Sequence, residues 1–78
     1  MAGEWRVVAS LEDEAGLRCV DLFVRPDGSY GFEEYRRDPE AGRWQVTGGY
    51  SALRFTTVAE AREAAVRRFP WLGVEGAR

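Results

Sequence analysis

Three turns closed by glycine punctuate the first half of this chain, and their spacing constrains the fold more than any other feature. They read Glu12-Asp13-Glu14-Ala15-Gly16, Arg25-Pro26-Asp27-Gly28 and Asp38-Pro39-Glu40-Ala41-Gly42. Proline pre-sets the backbone angle at the second turn position, and glycine accepts the left-handed angle that follows. The stretches between the turns are rich in Val, Phe, Tyr and Trp, which is the signature of strands. Connections this short join antiparallel neighbours, so the spacing predicts a β-meander over about residues 4–55.

The individual runs set the faces of that sheet. In the first, Trp5, Val7, Ala9 and Leu11 alternate with Arg6, Val8, Ser10 and Glu12. In the second, Val20, Leu22 and Val24 alternate with Cys19, Asp21, Phe23 and Arg25. The third, Tyr30 to Arg37, places Tyr30 and Phe32 on one face and Tyr35 on the other. Either this strand shows aromatics on both faces, or a bulge near Glu33-Glu34 shifts the register. A fourth run starts near Trp44, and Gly48-Gly49 reads as a bulge or turn before it resumes through Tyr50 to Phe55.

The last segment predicts a helix over about 58–69. Thr57-Val58-Ala59-Glu60 matches a capping box, in which Thr57 caps the backbone and Glu60 reaches back. Ala59 to Phe69 is dense in strong helix formers, and Val58, Ala61, Ala65 and Phe69 form one apolar stripe. Pro70 ends the helix, and Trp71-Leu72 is expected to fold back on the core. The expected fold is α+β: a three- to four-stranded antiparallel β-meander with one C-terminal helix packed on one face. Residues 1–78 form a single domain, and the tail over 73–78 is expected to be disordered.

Composition excludes several chemistries. The chain has no histidine and no lysine, so all eleven cations are arginine, and Cys19 is the only cysteine. The usual general base at neutral pH is missing, and with it Ser-His and Cys-His nucleophile pairs, Schiff-base lysines and nearly every zinc site. No enzyme activity, cofactor or metal is expected. Cys19 reads as a buried, inert thiol, since free cysteines usually pack as small hydrophobes. No apolar run approaches the ~20 residues of a membrane span, and the N-terminal residues show no signal-peptide pattern. A cytoplasmic location is the corresponding expectation. Isoleucine and asparagine are absent along with lysine. All three use AT-rich codons, which points to a GC-rich bacterial genome and explains the arginine bias without selection for function.

Charge is unevenly spread. Residues 1–40 hold five arginines and ten acids, residues 41–78 six arginines and three acids. A nucleic-acid domain usually shows a strong basic excess. The best basic patch here is Arg54, Arg62, Arg67 and Arg68, although a charged outer face is what any amphipathic helix shows. Arg36-Arg37 could hold phosphate, but adjacent strand residues point to opposite faces and four acids stand close by. Glu33-Glu34 and Glu12-Asp13-Glu14 offer carboxylates without the cleft or the ligand spacing that catalysis or metal binding needs.

One alanine-rich helix can cover only one face of this sheet. Trp5, Phe23, Tyr35 and Trp44 cannot all lie beneath it, so the other face is a candidate for dimerisation or ligand contact. The simpler reading is that they form half-buried cross-strand pairs, which stabilise a sheet without any partner.

The run Tyr35-Arg36-Arg37-Asp38-Pro39-Glu40-Ala41-Gly42-Arg43-Trp44, followed by Gly49-Tyr50, Phe55, Ala59-Glu60-Ala61 and Phe69-Pro70-Trp71-Leu72, resembles a group of short bacterial proteins of unknown function. The likeness covers roughly residues 17–72 and implies no catalytic residue. More distantly, the Asp-Pro-x-x-Gly hairpin, Phe55-Thr56-Thr57 and the Ala/Glu-rich helix are similar to the AP2-like arm-binding domains of tyrosine recombinases, which lay a three-stranded sheet on DNA. This chain departs from that pattern in lacking lysine and a basic sheet. The leading expectation is a non-enzymatic protein–protein interaction module, with a homodimer as one form of it. The alternative is a nucleic-acid-binding module using the sheet face or the helix arginines. A small-molecule or hydrolytic site at Glu33 or Glu34 is a third reading, and it requires a closed pocket there.

Overall fold

Four strands lie in chain order across one antiparallel sheet: β1 (Arg6–Glu12), β2 (Arg18–Val24), β3 (Tyr30–Arg37) and β4 (Trp44–Val46). The computed structural model describes residues 5–40 and 42–73. After β4 come a 3-10 turn (Tyr50–Ala52), the helix α1 (Val58–Arg68) and a second 3-10 turn (Pro70–Gly73). The expected tail lies outside the described residues, apart from Gly73.

The connections follow the turn chemistry. Asp13 accepts from the amides of Leu17 and Arg18 through its carboxylate, at 3.0 and 3.2 Å, and Gly16 donates to its carbonyl. Between β2 and β3, Gly28 takes φ 87° and donates to the Arg25 carbonyl at 2.9 Å. Asp38 accepts from Glu40 and Gly42 at the third turn.

β2 and β3 pair in unbroken register: Leu22 opposes Phe32, Val20 opposes Glu34, Cys19 opposes Tyr35, and Phe23 opposes Gly31. β3 therefore shows aromatics on both faces, and no bulge occurs at Glu33-Glu34. The irregularity lies in β1, where Val7 pairs with Phe23 and Ala9 with the adjacent Leu22. Val8 is the extra residue, and it flips the alternation. Ala9 and Leu11 face the helix, whereas Val7 sits across from Phe23 on the other face. The simple alternation that groups Trp5 with Leu11 is corrected accordingly.

The core lies between the sheet and α1. Leu11, Val20, Leu22 and Phe32 meet Ala61, Ala65, Phe69 and Leu72, all buried. The two alanines let the helix approach closely, so the large volume is supplied from the sheet and from beyond the helix. Phe32 is central, with Tyr50, Phe55 and Phe69 at ring-centroid distances of 5.5, 6.0 and 6.3 Å. Val58 drops out of the predicted stripe and is exposed. Thr57 caps the helix through its hydroxyl, which accepts from the Glu60 amide at 3.1 Å. Glu60 reaches back one residue further than a capping box requires and accepts from the amide and hydroxyl of Thr56. Leu72 folds back on the core, as the sequence predicts.

The fourth run departs from expectation. β4 has three residues, and the chain then turns out of the sheet, returning only at a Tyr30–Phe55 bridge. Gly48 explains part of this. A Cβ there would stand 2.0 Å from the Tyr50 ring, so only glycine lets that ring fold under the chain toward Phe32.

Candidate interaction face

Strand alternation places Ser10, Glu12, Cys19, Asp21, Phe23, Gly31, Glu33 and Tyr35 on the face away from α1. Arg37 pairs with Trp44 and Tyr35 with Val46, which extends that face onto β4. The four predicted aromatics, Trp5, Phe23, Tyr35 and Trp44, all lie on it, but they form two groups rather than one cluster.

The first group stands at the start of β1. Trp5 stacks on Phe23, with ring centroids 4.6 Å apart and planes 8° apart. The Phe23 ring lies over Gly31, where an added Cβ would meet it at 2.8 Å. The Arg25 guanidinium sits against both rings, 5.1 Å from Trp5 and 5.0 Å from Phe23. Phe23 is buried while Trp5 stays 50% exposed, with Val7 exposed beside it.

Beneath this corner are two buried charges that the sequence reading did not assign. Arg25 is 6% exposed and Glu33 3%. Glu33 accepts from the amides of Tyr50 and Ser51 at 3.3 and 2.9 Å, and from the Glu34 amide at 3.1 Å. Arg25 donates to the carbonyls of Ser51 and Leu53, to the Tyr30 carbonyl and to the Ser29 hydroxyl. Burial pulls the Arg25 guanidinium below its usual range, with the nearby Arg54 charge acting in the same direction. A buried charge held by backbone groups in this way is a structural clamp. Its signal in the sequence was faint: Arg25 shares the phase of the inward Phe23, but it reads as the first residue of a turn.

The second group frames a groove of about 450 Å³ lined by Ser10, Glu12, Cys19, Asp21, Tyr35 and Trp44. Trp44 is 38% exposed, and its ring is braced by Arg37, whose guanidinium carbon lies 4.7 Å from the centroid. Arg37 is itself anchored by a 2.7 Å hydrogen bond to the Gly16 carbonyl. Asp21 accepts from the Ser10 hydroxyl at 2.7 Å and from the Cys19 thiol at 3.4 Å. Among the described residues no cation stands within 4.0 Å of the Glu12 or Asp21 carboxylate. Two carboxylates line the groove, and the Arg37 guanidinium stands near one of them, Glu12: both lie within 4 Å of the position a Gly16 Cβ would take. Burial pushes the Cys19 thiol up to about 12, with Asp21 and Glu12 adding to the shift. Burial, then Asp21 and Glu33, raises the Tyr35 hydroxyl in the same way.

The predicted basic patch is not brought together. Arg54 is committed to Asp27 at 2.7 Å and to the Ser29 hydroxyl at 3.0 Å. Arg62 lines a separate apolar groove of about 460 Å³ between β1 and the start of α1, with Val8, Ala9 and Val58. Arg68 stands over the rings of Tyr50 and Phe69, at 5.4 and 5.2 Å. With ~100° of turn per helical residue, Arg62, Arg67 and Arg68 point in three directions. Arg36 and Arg37 diverge as well: Arg36 pairs with Glu34 at 3.3 Å on the helix-side face. Glu33 and Glu34 are both buried and hydrogen-bonded, Glu34 to the Thr47 hydroxyl, so neither presents a free carboxylate. Among the described residues no helix is long and apolar enough to cross a membrane.

No protein-family model matches this chain, and no curated protein or solved structure matches it at a significant level.

Proposed function

We propose that this chain is a non-enzymatic binding module that presents its helix-free sheet face to another polypeptide. The observation that carries this reading is the placement of two exposed tryptophans on that face. Trp5 flanks β1 beside the β2–β3 turn, and Trp44 sits on β4 where the other two turns lie. They therefore mark diagonally opposite corners, each braced by an arginine of its own chain. Exposed Val7 and Val46 extend the apolar area at each corner. Aromatic anchors held rigid by their neighbours lose little entropy on binding and dominate the energetics of interfaces. The body measures 36 × 28 × 18 Å. A face with the two longer dimensions is large enough for the ~800 Å² per partner of a standard interface.

Support for nucleic-acid binding is weaker. The face carries Glu12 and Asp21, and the outer arginines are dispersed or already paired. That reading predicts affinity that falls steeply with salt, and the absence of a gel shift at low salt would end it.

A photo-crosslinking side chain placed at position 46, beside Trp44 on the same face, and at position 67 on the outer surface of α1 as a control, tests the proposal in native cell extract. One discrete adduct at 46 and none at 67 is expected. No adduct at 46, or the same adducts at both positions, would overturn the reading. Sedimentation at high micromolar concentration identifies the homodimer form, and a mass of 8.8 kDa would exclude it.

A further inference from the structure

We infer that the groove between Asp21 and Trp44 takes a guanidinium group, so that the partner docks through an arginine-bearing segment. This inference rests on the proposed docking role of the face and names the chemistry of its occupant. Charge complementarity carries it. The groove has two carboxylates, Glu12 and Asp21, and two aromatic rings, Tyr35 and Trp44. Asp21 is oriented from within by the Ser10 hydroxyl and the Cys19 thiol. Both are donors, so they fix the carboxylate without neutralising it.

Arg37 stands near Glu12, both within 4 Å of the position a Gly16 Cβ would take, and it lies over Trp44 and is tied to the Gly16 carbonyl, so Asp21 is the groove carboxylate held by neutral donors alone among the described residues. Arg25 stands at the far corner and is consumed by the clamp on Ser51 and Leu53. Glu33, between them, is spent on backbone amides.

Shape favours a flat cation. A planar guanidinium can meet a carboxylate with two parallel N–H bonds while its face rests on an aromatic ring. Here carboxylate and ring line one groove at the boundary of β2, β3 and β4. An ammonium has no flat face to use, and two rings are too few to form an aromatic cage around it. The chain braces its own Trp44 with Arg37 by the same stacking, so an incoming arginine would repeat a contact that the fold already makes.

The test is an NMR titration of the full chain with an acetylated, amidated Gly-Ser-Arg-Leu-Ser-Gly peptide. A second peptide carries citrulline, the neutral isostere, in place of arginine. The expected result is shifts confined to Cys19, Asp21, Tyr35 and the Trp44 indole, with at least tenfold weaker binding of the citrulline peptide. Asp21→Asn and Glu12→Gln should each weaken the arginine peptide several-fold and leave the citrulline peptide unchanged. Equal binding of the two peptides on this face would overturn the inference while leaving the docking reading in place. Arginine-peptide shifts that fall elsewhere, or no shifts at all, would also overturn it, and crosslinking at position 46 judges the docking reading independently.

Discussion

Arg25 and Glu33 grip the same short turn by its opposite polar groups. Glu33 accepts the amides of Tyr50 and Ser51, while Arg25 donates to the carbonyls of Ser51 and Leu53. Between them they replace the ladder that β4 loses when it leaves the sheet. Removing one buried charged partner leaves the other groups unpaired, which costs far more than the pair is worth. Arg25→Met is predicted to lower stability by about 3 kcal/mol, a large fraction of what a small domain holds. Glu33→Gln keeps one acceptor and should cost about 1 kcal/mol. Urea unfolding measures both, and a loss below ~0.5 kcal/mol for Arg25→Met would contradict the clamp.

Gly31 is needed for a steric reason. A methyl group there would meet the Phe23 ring and the Arg25 guanidinium, both at 2.8 Å. Gly31→Ala is predicted to cost about 1–3 kcal/mol through overpacking. Phe23→Leu in the same chain should recover part of that loss, so the two changes should couple in a double-mutant cycle. Strict additivity would show that Phe23 does not press on this site.

Much of the fold could be read from the sequence because its determinants are local. The turn at Arg25-Pro26-Asp27-Gly28 and the Thr57 cap act within a few residues of themselves, and both form as their chemistry dictates. The features that were missed are set at long range. The bulge at Val8 carries Trp5 onto Phe23, a partner on the next strand. The end of β4 is decided by Arg25 and Glu33, which lie 17 to 28 residues before the turn residues they hold. The surplus of aromatics was visible from counting alone, but Phe23 and Tyr35 share a face only because β2 and β3 pair in unbroken register, which the sequence left open. Nothing in the sequence separates Trp5 from Trp44 by the diagonal of that face, or leaves acids between them, until the strands are paired.

The β2–β3 turn sets part of the acid dependence. The amide and then the hydroxyl of Ser29, with Arg54 behind them, hold the Asp27 carboxyl at about 2, below its ordinary 3.8. A carboxylate lowered in the folded state stabilises fully above its unfolded value and loses that contribution as pH falls through the folded one. The loss therefore belongs between pH 3.8 and about 2. Carboxyl NMR titration should find Asp27 in that low range, and Asp27→Asn should flatten this part of the stability profile. An Asp27 midpoint at its ordinary value would contradict the turn geometry.

Cys19 should be nearly inert in the folded protein. Its thiol is buried and pushed up to about 12, so almost no thiolate exists near neutral pH. Labelling with a thiol reagent at pH 8 is predicted to follow the unfolding equilibrium, accelerating as urea is added. Fast labelling without denaturant would mean that the groove floor is open at Cys19.

Docking depends on the two corner tryptophans, and the double variant Trp5→Ser, Trp44→Ser removes both. Each ring is half-buried on its neighbours, Trp5 on Phe23 and Arg25 and Trp44 on Arg37, so the double variant should lose about 1–3 kcal/mol of unfolding free energy and is compared where it remains folded. Affinity for the partner crosslinked at position 46 should fall at least a hundredfold, as expected when interface anchors are removed. A double variant that folds normally and binds that partner with unchanged affinity would contradict the central claim.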